Sequence, residues 1–323
     1  MKHSFIINPA AGNGKVQKEL LPRVMDAVKK WGADYEIHRT SGPGEATSYV
    51  RGKLSASPGE TVRFYVCGGD GTVAEALNGL YGAADAELAI IPAGSGNDYI
   101  RNFSDNGQFL DITAQLAGEA IAVDVMRYSY TPANPKTGKE SDALTLYALN
   151  MINMGFDAKA AGHMARLKNR FFIKGTGAYI AGVLRELAEY KMSRAIFRLD
   201  GGEAFEAEFL LAGVGSGRFS GGGFDGIPPA VVNDGLLDFL TIEPLTRGRF
   251  LKLVGIYHDG KHTEHPELQK LMRLLRIKSV EIEPVSGLVF TADGEAYYTK
   301  KPLSVSLAPE KIRFVIPDGV NRP

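Results

Sequence analysis

The first third of the chain alternates short apolar runs with segments whose apolar residues recur at helical spacing. The runs that predict strands are Phe5–Ile7, Tyr35–His38, Val62–Cys67 and Leu88–Ile91. Helical spacing between them predicts helices over Leu20–Trp31, Glu45–Leu54 and Val73–Leu80. Strands that alternate with helices predict an α/β domain with a parallel sheet and helices on both faces.

From Val125 onward the pattern changes to many short β-like runs separated by turn residues. The predicted strands are Met126–Tyr130, Leu144–Asn150, Ala195–Leu199, Ala207–Val214, Leu236–Ile242, Ser279–Glu283, Leu288–Thr291 and Leu303–Leu307. Runs at this density favour a β-rich, sandwich-like second domain, with one helical insertion over about Lys159–Met192. We assign 1–124 to the first domain and 125–308 to the second. We also assign 309–323 to the first domain, where Ile312–Ile316 is either a strand or a brace.

Composition limits the partners and the compartment. The 323 residues, 44% of them hydrophobic, are enough for two domains with full cores. Basic and acidic residues balance at 37 each, so no overall field attracts nucleic acid. Cys67 is the only cysteine and cannot form an internal disulfide, which fits a reducing compartment. We find no signal peptide and no apolar run of membrane-spanning length, and expect a soluble cytoplasmic protein.

Two glycine-rich segments, Gly68–Thr72 and Gly94–Asp98, each directly follow a predicted strand. Open α/β sheets bind their ligands at the carboxyl ends of strands. Glycine lets the backbone approach a phosphate with its N–H groups directed inward. The acidic, amide and hydroxyl side chains of both segments could bind a metal-nucleotide complex. The pattern predicts phosphoryl transfer.

Further motifs follow these two in a recognisable order. The full set is Asn8-Pro9 with Gly12 and Gly14, Gly68–Thr72, Gly94–Asp98, Ser220–Gly223, Asp234–Asp238 and Asp293–Glu295. This order resembles the catalytic family of the diacylglycerol kinases and sphingosine kinases. Length and two-part layout are most similar to its bacterial soluble lipid kinases. Each motif alone is weak evidence, but the ordered set spans almost the entire chain and is specific.

The resemblance implies an ATP site in the first domain. The positions that match family nucleotide contacts are Asn8, Gly12, Gly14, Lys15, Thr40, Gly68, Gly69, Asp70, Gly71, Thr72, Ser95, Asn97 and Asp98. Asp70 has the charge to hold a catalytic Mg²⁺ that bridges phosphate oxygens. The chain departs from the family pattern at Ser95, where Thr is usual, and at Gly96, where most relatives carry a side chain.

Asp293 is the candidate general base, with Glu295 beside it on the same tight turn. An attacking hydroxyl needs a carboxylate within hydrogen-bond reach. Taken alone, Asp293-Gly294 is better explained as an ordinary hairpin turn, with Glu295 in solvent. Its place at the end of the ordered family motifs favours the catalytic interpretation.

The resemblance implies a different role for Asp234. In the bacterial relatives an aspartate at this position holds a structural magnesium with two backbone carbonyls, which here belong to Val231 and Leu236. One carboxylate and two carbonyls suit a hard cation that keeps its waters. The alternative is a turn held by an Asx hydrogen bond, and local sequence does not separate the two.

Two other features allow simpler interpretations. His258, His262 and His265 have spacing that a zinc site could use, but Gly260 and Pro266 interrupt any helix, so we expect a surface loop. The mixed basic and apolar stretch Arg166–Lys174 either lies on anionic lipid headgroups or is an ordinary amphipathic helix.

We therefore expect a magnesium-dependent lipid kinase that transfers the γ-phosphoryl group of ATP to the hydroxyl of diacylglycerol or a related lipid. The resemblance implies transient contact with the inner membrane face, and monomer and homodimer both stay open. The alternatives are a kinase for a sphingoid or other lipid alcohol, an NAD kinase-like enzyme, and a non-catalytic lipid or nucleotide sensor. The later motifs argue against an NAD kinase, and the retained acidic residues argue against a sensor.

Overall fold

The computed structural model describes residues 1–32, 34–103, 106–162, 186–187 and 189–322. The chain divides into two compact units, Met1–Val125 with Pro309–Pro323, and Met126–Ala308. No helix among the described residues is both long enough and apolar enough to cross a membrane. Arg166–Lys174 and most of the predicted helical insertion lie outside the described residues.

The strands, in chain order, are β1 (Lys2–Ile7), β2 (Tyr35–Arg39), β3 (Val62–Gly68), β4 (Ala86–Pro92), β5 (Glu119–Val123), β6 (Met126–Tyr130), β7 (Leu144–Ala148), β8 (Met151–Gly155), β9 (Ser193–Leu199), β10 (Ala204–Phe209), β11 (Leu211–Gly215), β12 (Phe219–Ser220), β13 (Phe224–Asp225), β14 (Leu237–Ile242), β15 (Met272–Ile277), β16 (Ser279–Pro284), β17 (Leu288–Ala292), β18 (Glu295–Thr299), β19 (Leu303–Leu307) and β20 (Ile312–Ile316). The helices are α1 (Leu21–Trp31), α2 (Glu45–Ser55), α3 (Asp70–Leu80), α4 (Asn106–Phe109), α5 (Ile112–Ala117), α6 (156–162, where the described segment ends), α7 (Arg247–His258) and α8 (Pro266–Gln269).

The first unit is the predicted α/β domain. Its sheet has the order β2-β1-β3-β4-β20-β5, parallel except for β5. Every residue of β3 and β4 is buried, as expected for central strands covered on both faces. Helix α1 buries Leu21, Val24 and Val28 and ends at Gly32, whose left-handed conformation favours glycine.

A row of charges crosses the sheet of the first unit. Arg63 on β3, Glu87 on β4 and Arg313 on β20 are register neighbours. The Arg63 Nε donates to Glu87 Oε2 at 2.7 Å, and the Arg313 Nη2 donates to Oε1 at 2.5 Å. Glu87 is only 1% exposed. A buried carboxylate is tolerated because both of its oxygens face guanidinium groups. The row therefore ties β20 to the sheet.

The second unit is the predicted β-rich sandwich. Two six-stranded sheets have the orders β10-β9-β16-β19-β6-β7 and β15-β14-β11-β8-β17-β18, and all their pairs are antiparallel. Side chains from both sheets share one core, including Phe197, Phe239 and Phe290. The fold class predicted from the pattern is confirmed.

Two details of the predicted elements are wrong. Ala207–Val214 is not one strand, because the chain changes sheet at the buried Leu210, between β10 and β11. A continuous apolar run does not show where a strand passes from one sheet to the other. The third predicted helix begins at Asp70 and not at Val73, so most of the Gly68–Thr72 segment is the first turn of α3. The sequence pattern also missed the strands β5, β8, β12, β13, β15 and β18 and the helices α4, α5, α7 and α8.

Candidate active site

The two glycine-rich segments contact each other backbone to backbone in the first unit. A Cβ added at Gly94 would lie 2.6 Å from the Gly69 Cα, and one added at Gly69 would lie 3.0 Å from the Gly94 Cα. The Ala93 N–H donates to the Gly68 carbonyl at 2.9 Å. Only residues without a side chain allow this approach, so the glycines set the separation of the two segments.

Asp70 links the two segments. Its carboxylate accepts hydrogen bonds from the backbone N–H of Asn97 at 3.0 Å and of Asp98 at 3.1 Å. Burial raises the Asp70 pKa above its usual range, while these N–H donors act in the opposite direction. A Cβ at Gly96 would lie 2.7 Å from Asp70 Oδ2 and 3.3 Å from Asp98 Oδ2. The glycine that departs from the family pattern therefore leaves room for two carboxylates.

Asn97 fixes the shape of the second segment. It is one of the few non-glycine residues with positive φ, at 53°. Its Oδ1 accepts from the Gly94 N–H at 2.9 Å, and its Nδ2 donates to the Gly94 carbonyl at 3.0 Å. Arg101 Nη2 donates to the Gly96 carbonyl at 3.2 Å. The strained Asn97 is therefore held by its side-chain bonds to Gly94 and by the Arg101 bond to the preceding Gly96 carbonyl, which makes the turn rigid.

The first loop and the second strand reach the same edge of the sheet. Asn8 Nδ2 donates to Thr72 Oγ1 at 2.8 Å, and a Cβ at Gly12 would lie 3.2 Å from the Ala93 carbonyl oxygen. The Thr40 N–H donates to the Ile7 carbonyl at 2.9 Å. Gly14 has a φ of 84°, and Lys15 and Ser95 are exposed. All predicted nucleotide residues therefore lie in the segments that follow β1 to β4 in the chain, apart from Gly68, which is the last residue of β3.

Glu75 is a residue of this region that the sequence pattern missed. From the second turn of α3, its carboxylate accepts the backbone N–H groups of Gly44 at 2.8 Å and Ala46 at 3.2 Å. These donors lie at the start of α2, just after the loop that follows Thr40. A carboxylate at a helix N-terminus is favourable. Glu75 thus anchors this loop to α3.

Asp293 lies in the second unit, on the two-residue turn between β17 and β18. Its carboxylate accepts hydrogen bonds from three consecutive backbone N–H groups, those of Leu149 at 2.7 Å, Asn150 at 3.0 Å and Met151 at 3.1 Å. We call these three amides the amide cradle. Hydrogen bonds donated to a carboxylate favour its charged form. Asp293 is half-buried, and Glu295 is exposed at the start of β18.

Asp200 repeats the local geometry of Asp293 elsewhere in the second unit. Both are aspartates with positive φ, 47° and 46°, in a turn before a glycine. Asp200 Oδ1 accepts the backbone N–H groups of Lys278 and Ser279, each at 2.8 Å. Asp200 is exposed, whereas Asp293 is half-buried. Turn geometry alone therefore does not mark an aspartate as catalytic.

Buried tyrosines distinguish the surroundings of Asp293. Burial raises the pKa of Tyr128 well above its usual range, the neighbouring Tyr297 raises it further, and the negative charge of Asp293 adds to the shift. Tyr128 is 2% exposed and packs against the Phe290 ring. The phenol stays protonated across the physiological pH range and can donate a hydrogen bond, so Tyr128 adds no charge beside Asp293.

Asp234 forms the Asx hydrogen bond of the simpler interpretation. Its Oδ1 accepts the Leu236 N–H at 3.0 Å, and its Oδ2 forms a salt bridge with Arg276. Arg276 also lies near Asp238, with 3.7 Å between Nε and Oδ1. Among the described residues no group of three or more His, Cys, Asp or Glu side chains could hold a metal ion. A cation at Asp234 would therefore depend on carbonyls and water.

The histidine segment is not simply a surface loop. His258 ends α7 and is exposed, as expected. His262 is completely buried against Tyr257, with 4.7 Å between ring centroids, and burial lowers its pKa. The three histidines form no metal group within the described part of the chain. The loop prediction failed at His262 because spacing carries no information on burial.

Comparison with known proteins identifies the family. Residues 2–128 match the diacylglycerol kinase catalytic domain. Residues 150–316, more than half of the chain, match the YegS C-terminal NAD kinase beta sandwich-like domain. The chain belongs to the YegS-like bacterial lipid kinases of the diacylglycerol kinase catalytic-domain family. It is a phosphotransferase with an alcohol acceptor, and its family implies a nucleotide as phosphoryl donor.

Full-length relatives agree with this assignment. The "Probable lipid kinase YegS-like" protein of Pseudomonas aeruginosa is 28% identical over 310 residues, covering 96% of this chain and 92% of the relative. The "Diacylglycerol kinase" of Mycobacterium tuberculosis is 27% identical over 318 residues, covering 98% and 95%. A crystal structure of a diacylglycerol kinase from Bacillus anthracis has the same fold, with a TM-score of 0.67 at 21% identity over 99% of this chain and 98% of that one.

The contact between the two glycine-rich segments leads to a first prediction. We expect Gly94→Ala in this lipid kinase to weaken ATP binding at least about tenfold, because the new methyl would overlap the Gly69 backbone, which has no flexible side chain to move. Isothermal titration calorimetry with ATP and Mg²⁺ measures the change. Gly52→Ala is the matched control, since a Cβ there meets nothing within 4 Å. Equal ATP affinity in both variants would contradict the prediction.

Proposed function

We propose that this lipid kinase transfers the γ-phosphoryl group of ATP to the hydroxyl of diacylglycerol or a closely related lipid, with Asp293 as general base. The observation that carries the nucleotide part is the Asp70 link between two segments that touch through Gly69 and Gly94. Relatives over nearly the full chain have the names lipid kinase and diacylglycerol kinase, which supports the acceptor class.

A catalytic magnesium fits the first unit. Asp70 and Asp98 direct carboxylates toward the space beside Gly96. Asp70 Oδ2 accepts the Asn97 N–H and Oδ1 accepts the Asp98 N–H, and a carboxylate oxygen can accept more than one bond. Two carboxylates, phosphate oxygens and water are the ligands that Mg²⁺ prefers. When bound, the metal neutralises charge on the transferring phosphoryl group. Asp70 and Asp98 would hold it, and Asn97 would keep their backbone in place.

The proposed reaction needs no covalent intermediate with a protein side chain. The phosphoryl transition state is loose, so positioning and charge neutralisation supply most of the catalysis. The glycine-rich segments would present backbone N–H groups to phosphate oxygens. In the second unit, Asp293 would accept the proton of the lipid hydroxyl. The three N–H donors of the amide cradle favour the charged form of that carboxylate and orient it before the substrate arrives.

Other acceptors and a non-catalytic role are the remaining alternatives. A sphingoid base, a ceramide or an isoprenoid-like alcohol presents the same hydroxyl chemistry. A lipid or nucleotide sensor would keep the fold without transfer. NAD as acceptor is disfavoured because the full-length relatives above have the names lipid kinase and diacylglycerol kinase.

The acceptor is tested by incubating the protein, Mg²⁺ and ATP labelled at the γ-phosphate with separate lipids. The panel contains diacylglycerols, sphingoid bases, ceramide and total membrane lipid, and NAD serves as the non-lipid acceptor. We expect label to enter diacylglycerol or one related lipid. Label in NAD alone, or ATP binding without transfer to any acceptor, would overturn the proposal.

Asp293→Asn tests the general base. The amide still accepts hydrogen bonds from the cradle but is a very poor base. We expect turnover to fall on the order of 10²–10⁴-fold with little change in the KM for ATP. Asp200→Asn is the matched control, because Asp200 shares the turn, the positive φ and the backbone N–H donors. If both variants turn over near the wild-type rate, Asp293 is a structural turn residue.

We also propose that Asp234 holds a structural magnesium with the carbonyls of Val231 and Leu236. A loop that binds Mg²⁺ mainly through carbonyls and water suits this cation. We expect saturating Mg²⁺ to raise the melting temperature by about 5 °C in the wild type and not in Asp234→Ala. Asp111→Ala is the control, since Asp111 also accepts an N–H two residues on. An unchanged Mg²⁺ response in Asp234→Ala would mean that Asp234 binds no magnesium and holds the loop only through the Arg276 salt bridge and the Asx hydrogen bond.

A further inference from the structure

The amide cradle that holds Asp293 is itself held by two buried polar side chains that lie far from Asp293 in the sequence. Ser216 is 1% exposed and Asn150 is 4% exposed. Ser216 follows β11, and Asn150 lies between β7 and β8. Polar side chains are rarely buried this deeply unless hydrogen bonds satisfy them. Both side chains make their bonds to the backbone around the cradle.

Ser216 holds the cradle from one side. Its Oγ donates to the Leu149 carbonyl at 2.6 Å. Its backbone N–H and that of Gly217 both donate to the Asn150 carbonyl at 3.1 Å. These bonds fix the two peptide carbonyls at the start of the cradle. Because the peptide unit is planar, a fixed carbonyl also fixes the direction of the next N–H. The Leu149 carbonyl thus orients the Asn150 N–H, and the Asn150 carbonyl orients the Met151 N–H.

Asn150 holds the cradle from the other side. Its Nδ2 donates to the Phe219 carbonyl at 2.5 Å, while its own backbone N–H is one of the donors to Asp293. Phe219 begins the β12–β13 hairpin that carries the Ser220–Gly223 motif. Arg218 and Asp225 close this hairpin with a paired salt bridge of 3.2 and 2.6 Å. The anchor for Asn150 is therefore rigid.

We propose that Ser216 and Asn150 are positioning residues, which orient the amide cradle and through it the carboxylate of Asp293. The Ser216 hydroxyl bonds to the Leu149 carbonyl, whose peptide unit carries the Asn150 N–H. The Asn150 side chain anchors to Phe219 the residue whose backbone N–H donates to Asp293. The inference rests on the proposed role of Asp293 as general base. A misplacement of about 1 Å in a reacting group can reduce a rate 10²-fold. The orientation of these peptide units, which positions the Asp293 carboxylate, should therefore affect the turnover rate.

The test compares Ser216→Ala and Asn150→Ala with Ser129→Ala in the labelled-ATP assay, with a diacylglycerol in detergent micelles. Ser129 is the matched control, because among the described residues its hydroxyl bonds to Thr145 alone, on the neighbouring strand of the same unit. We expect the first two variants to lose about 10- to 100-fold in kcat with the KM for ATP within about twofold. Ser129→Ala should keep the wild-type kcat. Circular dichroism melts show that each variant is folded at the assay temperature.

The pH profile separates positioning from loss of structure. A disordered cradle gives less support to the charged form of Asp293, so we expect the acid limb of kcat to move to higher pH in both variants. Titratable groups near Asp293 in the described part of the chain include Tyr128 on β6, Tyr297 on β18 and Glu295 on its own hairpin. Burial raises the pKa of Tyr128 far above this limb. Glu295 remains in every variant and cannot account for a difference between them.

The Asp293→Asn background distinguishes this inference from the proposed function. If Ser216 and Asn150 act through Asp293, their substitution adds little to the loss that Asp293→Asn already causes. Equal fold losses in both backgrounds, or an unmoved acid limb, would overturn the positioning role while Asp293 stays the base. Near-normal turnover of Asp293→Asn would overturn the role of Asp293, and the inference would fail with it.

Discussion

The nucleotide region of this lipid kinase depends on one constraint, the backbone contact between Gly69 and Gly94. Two parallel strands end side by side, and the chain leaving each one must turn without a side chain at the point of contact. Asp70 can bridge to the opposite segment only because that contact brings the Asn97 and Asp98 N–H groups within reach. The separation of the two segments and the hydrogen bonds of Asp70 therefore depend on the absence of side chains at Gly69 and Gly94.

The second unit uses the opposite arrangement, in which a side chain is captured by backbone. Asp293 and Asp200 both accept backbone N–H groups from a segment that is distant in the sequence, so the arrangement is not unique to Asp293. The two sites differ in what surrounds them. Asp200 faces solvent, whereas Asp293 lies near the buried Tyr128. The amide cradle that binds Asp293 is in turn hydrogen-bonded by the buried side chains of Ser216 and Asn150. Buried anchors cost desolvation, which an ordinary surface turn does not need.

The sequence predicted much of the fold and the first unit's site because both depend on local signals. Periodicity located β1 to β4, and glycines after strands located the segments that meet at Gly69 and Gly94. What it missed depends on distant contacts. No local signal shows that Glu75 caps α2, that Ser216 supports the cradle, or that His262 is completely buried. Charged residues also hid structure, since the exposed Arg273 and Arg276 interrupt the apolar pattern of β15.

The order of strands in the first unit links its completion to the end of the chain. Within the described part of the chain β5 pairs with β20 alone, and β20 lies between β5 and β4. Residues 1–125 alone would leave the hydrogen-bonding edge of β4 open and β5 without a partner strand, although Arg63 would still pair with Glu87. Arg313 reaches the second Glu87 oxygen only when β20 is in place. Because the Gly94 segment continues directly from β4, the nucleotide region becomes fully supported only after the entire second unit has been synthesised.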